Sequence, residues 1–91
     1  MGLGSAITDV KLGDNITKIS KNAFKGDKNL EYIELTDSIK SIAKNAFKGI
    51  AKDAVFTIKA ASEGEFNRIV DLIKKSGVGE NVTFVFENTS K

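Results

Sequence analysis

The hexapeptide Lys21-Asn22-Ala23-Phe24-Lys25-Gly26 (KNAFKG) recurs unchanged at positions 44–49 of a 91-residue chain. Aligning residues 7–29 with residues 30–52 extends the match beyond the hexapeptide, and we call the offset from Lys21 to Lys44 the repeat period. The other identical pairs are Leu12/Leu35, Asp14/Asp37, Ile16/Ile39 and Ile19/Ile42, with Ile7/Leu30 and Val10/Ile33 conservatively matched. A duplicated pair of helices would repeat its apolar residues at spacings of three and four throughout. This pattern instead predicts two copies of a mixed, mostly extended unit.

Each copy predicts one coil of a repeat. In the first copy, Val10 and Leu12 alternate as in a strand, and a turn follows at residues 13–15. A second extended piece, residues 16–19, leads to a brief helical turn that contains Ala23 and Phe24. Gly26 then suits a positive φ that releases the chain into the next coil. We expect Phe24 and Phe47 to be buried and stacked one layer apart.

The repeat has a recognisable pattern. A period of 20–29 residues indicates a leucine-rich-repeat solenoid. The pattern L-x-x-I-x-L-x-D-x-I-x-x-I-x-x-x-A-F-x-G occupies residues 30–49, and residues 7–26 form a second, looser copy. It resembles the BspA-like leucine-rich repeats of bacterial surface proteins. The resemblance implies an extracellular or cell-surface location and a role in adhesion or host contact.

The third unit departs from the repeat. Phe56 and Ile58 fall one repeat period after Ile33 and Leu35 and predict a third strand. Ser62 and Glu65 form a capping-box pattern that predicts a helix start. One apolar stripe follows at helical spacing, namely Phe66, Ile69, Val70 and Ile73. Gly77 is suited to end this helix, and alternation over residues 81–87 predicts a last strand.

These units predict an α/β fold: a short right-handed leucine-rich-repeat solenoid of two 23-residue coils plus a third strand, closed by a C-terminal β-α-β cap. Residues 6–87 then form a single domain, with repeats at 7–29 and 30–52 and the cap at 54–87. We expect residues 1–5 to be an expression remnant or a cut point in a longer chain. Residues 88–91 are expected to be a frayed tail, and the cap suggests the C-terminal end of a parent chain.

Composition excludes several kinds of function. The chain contains no cysteine and no histidine, which excludes Cys/His zinc sites, thiol nucleophiles and Ser-His-Asp triads. No metal site or cofactor is expected, and no group of residues pairs a nucleophile with a base, so we expect no enzyme. A net charge of +2 and one arginine, Arg68, argue against nucleic acid. No apolar run is long enough for membrane insertion.

Strand alternation predicts the candidate binding face. If Val10, Ile33 and Phe56 point inward, their neighbours point outward in two rows across the sheet. The candidate site residues are Asp9, Tyr32 and Val55 in one row and Lys11, Glu34 and Thr57 in the next. Lys11 and Glu34 are opposite charges on adjacent strands, which favours this register. Tyr32, the one tyrosine, either anchors a partner or shields the sheet by lying over Val55.

Two functions remain open. One is a module that presents the sheet face to a protein or glycan ligand, and the other is a passive spacer and C-terminal cap of a longer repeat protein. An end-to-end homodimer through the N-terminal coil is also expected if Ile7 and Val10 lie open. Four lysines should stack along one edge, and we call them the lysine ladder: Lys21, Lys25, Lys44 and Lys48. The ladder either keeps the protein soluble or attaches it to an anionic wall polymer.

Overall fold

A computed structural model describes residues 7–90, so the expectation for residues 1–5 lies outside the described residues. The helix α1 spans Glu63–Lys74. The strands are β1 (Asp9–Lys11), β2 (Lys18–Ile19), β3 (Tyr32–Thr36), β4 (Ser41–Ile42), β5 (Val55–Ala60) and β6 (Thr83–Asn88). The described chain is thus an α/β fold with one helix.

All strand pairs are parallel. The four-stranded sheet has the order β1-β3-β5-β6, and β2 and β4 form a second, two-stranded sheet. Val10 lies opposite Ile33, and Ile33 lies opposite Phe56. These partners are one repeat period apart, which confirms the register that the repeat predicts. The helix α1 connects β5 to its parallel neighbour β6.

The apolar core lies between the two sheets and the helix. It contains the inward residues of β3 and β5 together with Phe47, Ile69 and Ile73, all fully buried. The first repeat is less covered, since Val10, Leu12 and Phe24 are only half-buried. The prediction that Phe24 is buried is therefore wrong, because within residues 7–90 a further repeat layer packs against one side of its ring only. Its stacking on Phe47 is confirmed.

The KNAFKG segments are not helical. Ala23 and Lys25 donate backbone hydrogen bonds to the carbonyls three residues before them, at 3.1 and 3.2 Å, which makes a series of tight turns. Asn22 and its counterpart Asn45 have φ values of 61° and 64°. A left-handed residue interrupts a right-handed helix, so the predicted helical turn is wrong. Asparagine tolerates this conformation better than most residues.

Stacked turns hold each other through the backbone. The Phe24 N–H donates to the Ala46 carbonyl at 2.8 Å, and the Gly26 N–H donates to the Lys48 carbonyl at 2.8 Å. In the next layer, the Phe47 N–H donates to the Ser76 carbonyl at 3.2 Å. The chain just after α1 therefore takes the place that a third KNAFKG segment would have.

The helix begins after Ser62, the predicted N-cap residue. The Ser62 hydroxyl accepts a hydrogen bond from the Glu65 N–H at 3.3 Å. The Glu65 carboxylate does not complete the reciprocal bond of a capping box, because it accepts two hydrogen bonds from Arg68 instead. Arg68 also donates to the backbone carbonyls of Ile39 at 2.8 Å and Asp37 at 3.1 Å. The guanidinium thus fastens α1 to the second repeat.

The last strand lies slightly later in the sequence than predicted. It spans Thr83–Asn88 rather than residues 81–87. The Thr89 N–H donates to the Ala60 carbonyl at 2.8 Å, which continues the pairing beyond the strand. Residues 88 and 89 are therefore paired with the neighbouring strand and are not frayed, because the end of β5 offers them partners.

Candidate binding face

The four-stranded sheet has one covered face and one open face. The covered face packs on the core, which is closed by α1 through Ile69 and Ile73 and by the two-stranded sheet through Ile19. No element within residues 7–90 covers the opposite side, which we call the outer face. Parallel sheets usually bury both faces. An open face on such a sheet is therefore available for contact with another molecule.

The first predicted row is present on the outer face. Asp9 lies opposite Tyr32, and Tyr32 lies opposite Val55. The sheet then continues to Thr83 of β6. Sequence reasoning missed Thr83 because β6 follows the helix and falls outside the repeat period. Its alternation with inward Phe84 and Phe86 was the available signal.

The second predicted row is Lys11, Glu34 and Thr57, and β6 adds Val85 to it. Lys11 and Glu34 are opposite each other as expected. The ion pair of Glu34 is formed instead with Lys59 of β5, at 3.5 Å between Nζ and Oε2. The Glu34 side chain is only 17% exposed, so this pair ties β3 to β5 across the face.

The predicted site residues differ in exposure. Asp9 and Lys11 are exposed, whereas Tyr32, Glu34 and Val55 are half-buried. Thr57 is only 7% exposed, because it sits between flanking strands in the middle of the sheet. It can offer little surface to a partner. Val85, at 41% exposed, adds apolar surface beside it. The accessible part of the outer face is therefore the row that contains Tyr32, together with the exposed residues of the edge strands β1 and β6.

A depression of about 580 Å³ lies beyond the outer face, at the carboxyl ends of the strands. Asp37 uses one carboxylate oxygen to accept a hydrogen bond from the Ala61 N–H at 3.0 Å. The Ser38 hydroxyl donates to the Ile16 carbonyl at 2.8 Å. The depression is lined by Leu12, Gly13, Asp14, Glu34, Thr36, Asp37, Ser38, Lys59 and Thr89. Ligands of open parallel sheets often bind at this end of the strands.

Two further properties bear on the kind of site. Within residues 7–90, no three carboxylates are grouped closely enough to hold a metal ion. No helix in the same part of the chain is long and apolar enough to cross a membrane.

Parallel strands that recur once per repeat period define the class of this protein: it is a leucine-rich-repeat protein with an α/β fold. The family model described as BspA type Leucine rich repeat region (6 copies) matches residues 3–90. The chain belongs to this family. Searches of curated proteins and of solved structures found no significant match.

Proposed function

We propose that this domain is a non-catalytic recognition module of a bacterial surface or secreted protein, and that its outer face binds a protein or a glycan. The observation that carries the proposal is the open face of a parallel sheet. The inward side chains of β3 and β5 are fully buried in the core, so the outward side chains of these strands are free of core packing. Solenoid repeats use such exposed faces for binding.

Tyr32 is the central residue of the proposed site. It lies between Asp9 and Val55, in the middle of the first row. Its half-buried ring offers apolar surface, and its hydroxyl offers a polar tip, a combination that is enriched at binding hot spots. Exposed Asp9 and Lys11 on β1 supply charges beside it. The proposed site residues are thus Asp9, Lys11, Tyr32, Glu34 and Val55, with Thr57 as a buried support.

The proposal includes the finer architecture. Repeats 7–29 and 30–52 are taken as coils of a short right-handed solenoid, and residues 54–87 are taken as its cap. Parallel strands joined by a crossover helix are right-handed in nearly all proteins. The cap assignment is supported by the hydrogen bond from Phe47 to Ser76, which lets the end of α1 close the stack of turns.

A passive spacer and cap is the second candidate. It is favoured by Glu34, whose carboxylate is engaged with Lys59 and is largely shielded from solvent. A passive spacer needs a stiff sheet but no residue that contacts a ligand. The two candidates therefore differ in one measurable property, which is whether the isolated domain has a ligand.

A surface location and the absence of catalysis are part of the first proposal. Proteins with BspA-type repeats are typically associated with the bacterial surface. Within residues 7–90, the outer face and its adjoining depression bring together carboxylates, lysine and hydroxyls but no histidine or cysteine. Such a set binds polar ligands through hydrogen bonds and charge. The proposal assigns it to recognition.

The experiment is a binding screen with isotope-labelled protein. Amide shifts are recorded against a panel of soluble extracellular proteins and neutral glycans. Shifts confined to β1, β3 and β5 would support recognition by the outer face. The variant Tyr32→Ala/Glu34→Gln should lose this binding and keep its fold. Its matched control, Asn67→Ala/Asp71→Asn, changes the same net charge on the exposed side of α1 and should bind like the wild type. A panel without any ligand would favour the spacer.

A further inference from the structure

The lysine ladder is the feature that the outer face does not explain. Four of the six residues in the second KNAFKG copy have a structural reason to be there. Asn22 and Asn45 adopt the left-handed conformation, and Gly26 and Gly49 have φ values of 82° and 86°. The alanine and phenylalanine of the second copy are fully buried. Backbone conformation accounts for the repeated asparagine and glycine, and ring stacking accounts for the repeated phenylalanine, whereas Ala23 is exposed.

The two lysines of each copy have no such reason. All four ladder side chains are exposed. The ion pairs among residues 7–90 are Lys59–Glu34 and Arg68–Glu65, and neither involves the ladder. The described hydrogen bonds of the ladder residues are made by backbone groups only. Folding therefore does not require lysine at these four positions.

Other exposed positions have diverged between the two copies. Thr8 is matched by Glu31, Lys18 by Ser41, and Asn29 by Lys52. Lys11 is even matched by the opposite charge, Glu34. A surface that varied freely would not keep lysine at both ladder positions of both copies. The repetition points to a role for the ladder outside the fold.

The stacked turns set the geometry of the ladder. The hydrogen bonds from Phe24 to Ala46 and from Gly26 to Lys48 place residues 24–26 beside residues 46–48. Neighbouring layers of such a ladder lie about 4.8 Å apart. The third layer begins at the end of α1, where the Ser76 carbonyl accepts from Phe47, and the preceding residue, Lys75, is exposed. A strip of unpaired positive charge therefore runs along the stack. Asp27 is the nearby acid of the first copy, and its counterpart is the apolar Ile50.

We propose that the lysine ladder binds a linear polymer of phosphodiester-linked polyols, an anionic chain of the kind found in bacterial cell walls. This proposal rests on the proposed surface location but uses a different surface from the outer face. Lysine acts on phosphate as a point charge, which suits a flexible chain that presents one charge per unit. The ladder supplies one pair of charges in each of the two stacked repeats.

The same features disfavour other polyanions. The one arginine, Arg68, is engaged with α1 and the second repeat, so no planar guanidinium is free to grip phosphate or sulfate in two places. Within the described residues, the aromatic ring beside the ladder in the first copy, Phe24, stacks on Phe47. A single half-buried ring with one face covered is a poor platform, because proteins that bind single strands stack successive bases on several aromatic side chains.

The test uses purified poly(glycerol phosphate) with a fluorescent end label and measures anisotropy at low and at physiological salt. The wild type should bind, and its affinity should fall as salt rises. Lys25→Gln/Lys48→Gln should weaken binding about tenfold or more. The matched control, Lys18→Gln/Lys40→Gln, removes the same charge from an exposed pair in adjacent repeats and should change binding less than about twofold.

Two additional variants and two competing polyanions complete the binding experiment. Lys25→Arg/Lys48→Arg should retain binding, which separates loss of charge from loss of fold. Tyr32→Ala/Glu34→Gln should bind the polymer like the wild type, so failure of the outer face and failure of the ladder are distinguishable. Equal losses in the ladder and control pairs would overturn the proposal. It would also be overturned by the absence of binding at low salt, or by tighter binding of dextran sulfate or duplex DNA.

Discussion

The ring of Phe24 lies parallel to the ring of Phe47, with 5.3 Å between the ring centroids and an interplanar angle of 1°. The two residues occupy the same position in successive repeats. Phe47 also meets Phe56 edge to face, at 5.2 Å and 81°. Phe47 therefore has aromatic neighbours on two sides, whereas Phe24 is only half-buried.

Truncating the two rings should have unequal effects. Phe47→Ala leaves a cavity in the fully buried core and should lower the free energy of unfolding by about 3–5 kcal/mol. Phe24→Ala should cost clearly less, because part of its surface remains in water. Urea denaturation of both variants checks the order. If Phe24→Ala cost as much as Phe47→Ala, the described packing of the first repeat would be wrong.

Gly26 and Gly49 form a second matched pair. Both have a positive φ, so alanine should cost about 1–2 kcal/mol of folding free energy at either position. At Gly49, a Cβ atom would also lie 3.1 Å from the Gly26 nitrogen and 3.2 Å from its Cα, whereas at Gly26 it would meet no atom within 4 Å. Gly49→Ala should therefore destabilise the protein more than Gly26→Ala in thermal unfolding. Equal effects would mean that the two turns do not approach so closely.

Arg68 donates to three acceptors, namely Glu65 within α1 and the carbonyls of Ile39 and Asp37 in the second repeat. Lysine cannot reach all three with one ammonium group. We expect Arg68→Lys to lower the free energy of unfolding by about 1–2 kcal/mol, since hydrogen bonds from a charged donor are lost. Hydrogen exchange should show faster opening of α1. Asn67→Ala, on the exposed side of the same helix, is the control and should stay within about 0.5 kcal/mol.

The first repeat should mediate self-association. Ile7 is 46% exposed and Ile16 is 37% exposed, and β1 lies at an edge of the sheet. We propose that a second copy covers this surface in an end-to-end homodimer at high concentration. Sedimentation velocity should show dimer growth from micromolar to millimolar protein, and Ile7→Ser/Ile16→Ser should abolish it. Val85→Ser, on the outer face, should leave it unchanged. A wild type that stays monomeric throughout would contradict the proposal.

The repeat period predicted most of the strand pairing in the sheet. Placing Tyr32 opposite Val55 needed only the repeat spacing and strand alternation, and the register confirms it. The period could not place β6, because the intervening helix breaks it. Nor could it predict the ion pair between Glu34 and Lys59, since strand register does not specify whether a carboxylate pairs with Lys11 or with Lys59. Asn22 looked compatible with a helical turn because a side-chain pattern does not report the sign of φ.

The backbone bonds between stacked turns give the second repeat two complementary surfaces. Its Ala46 carbonyl accepts from the repeat before it, and its Phe47 N–H donates to the segment after it. Because the repeat accepts a backbone hydrogen bond on one side and donates one on the other, a second copy of it can stack on the first. Inserting a further copy of residues 30–52 directly before Leu30 should lengthen the sheet by one strand and the ladder by two lysines. The number of repeats would thus set both the length of the protein and the number of lysine charges that it offers to a polymeric ligand.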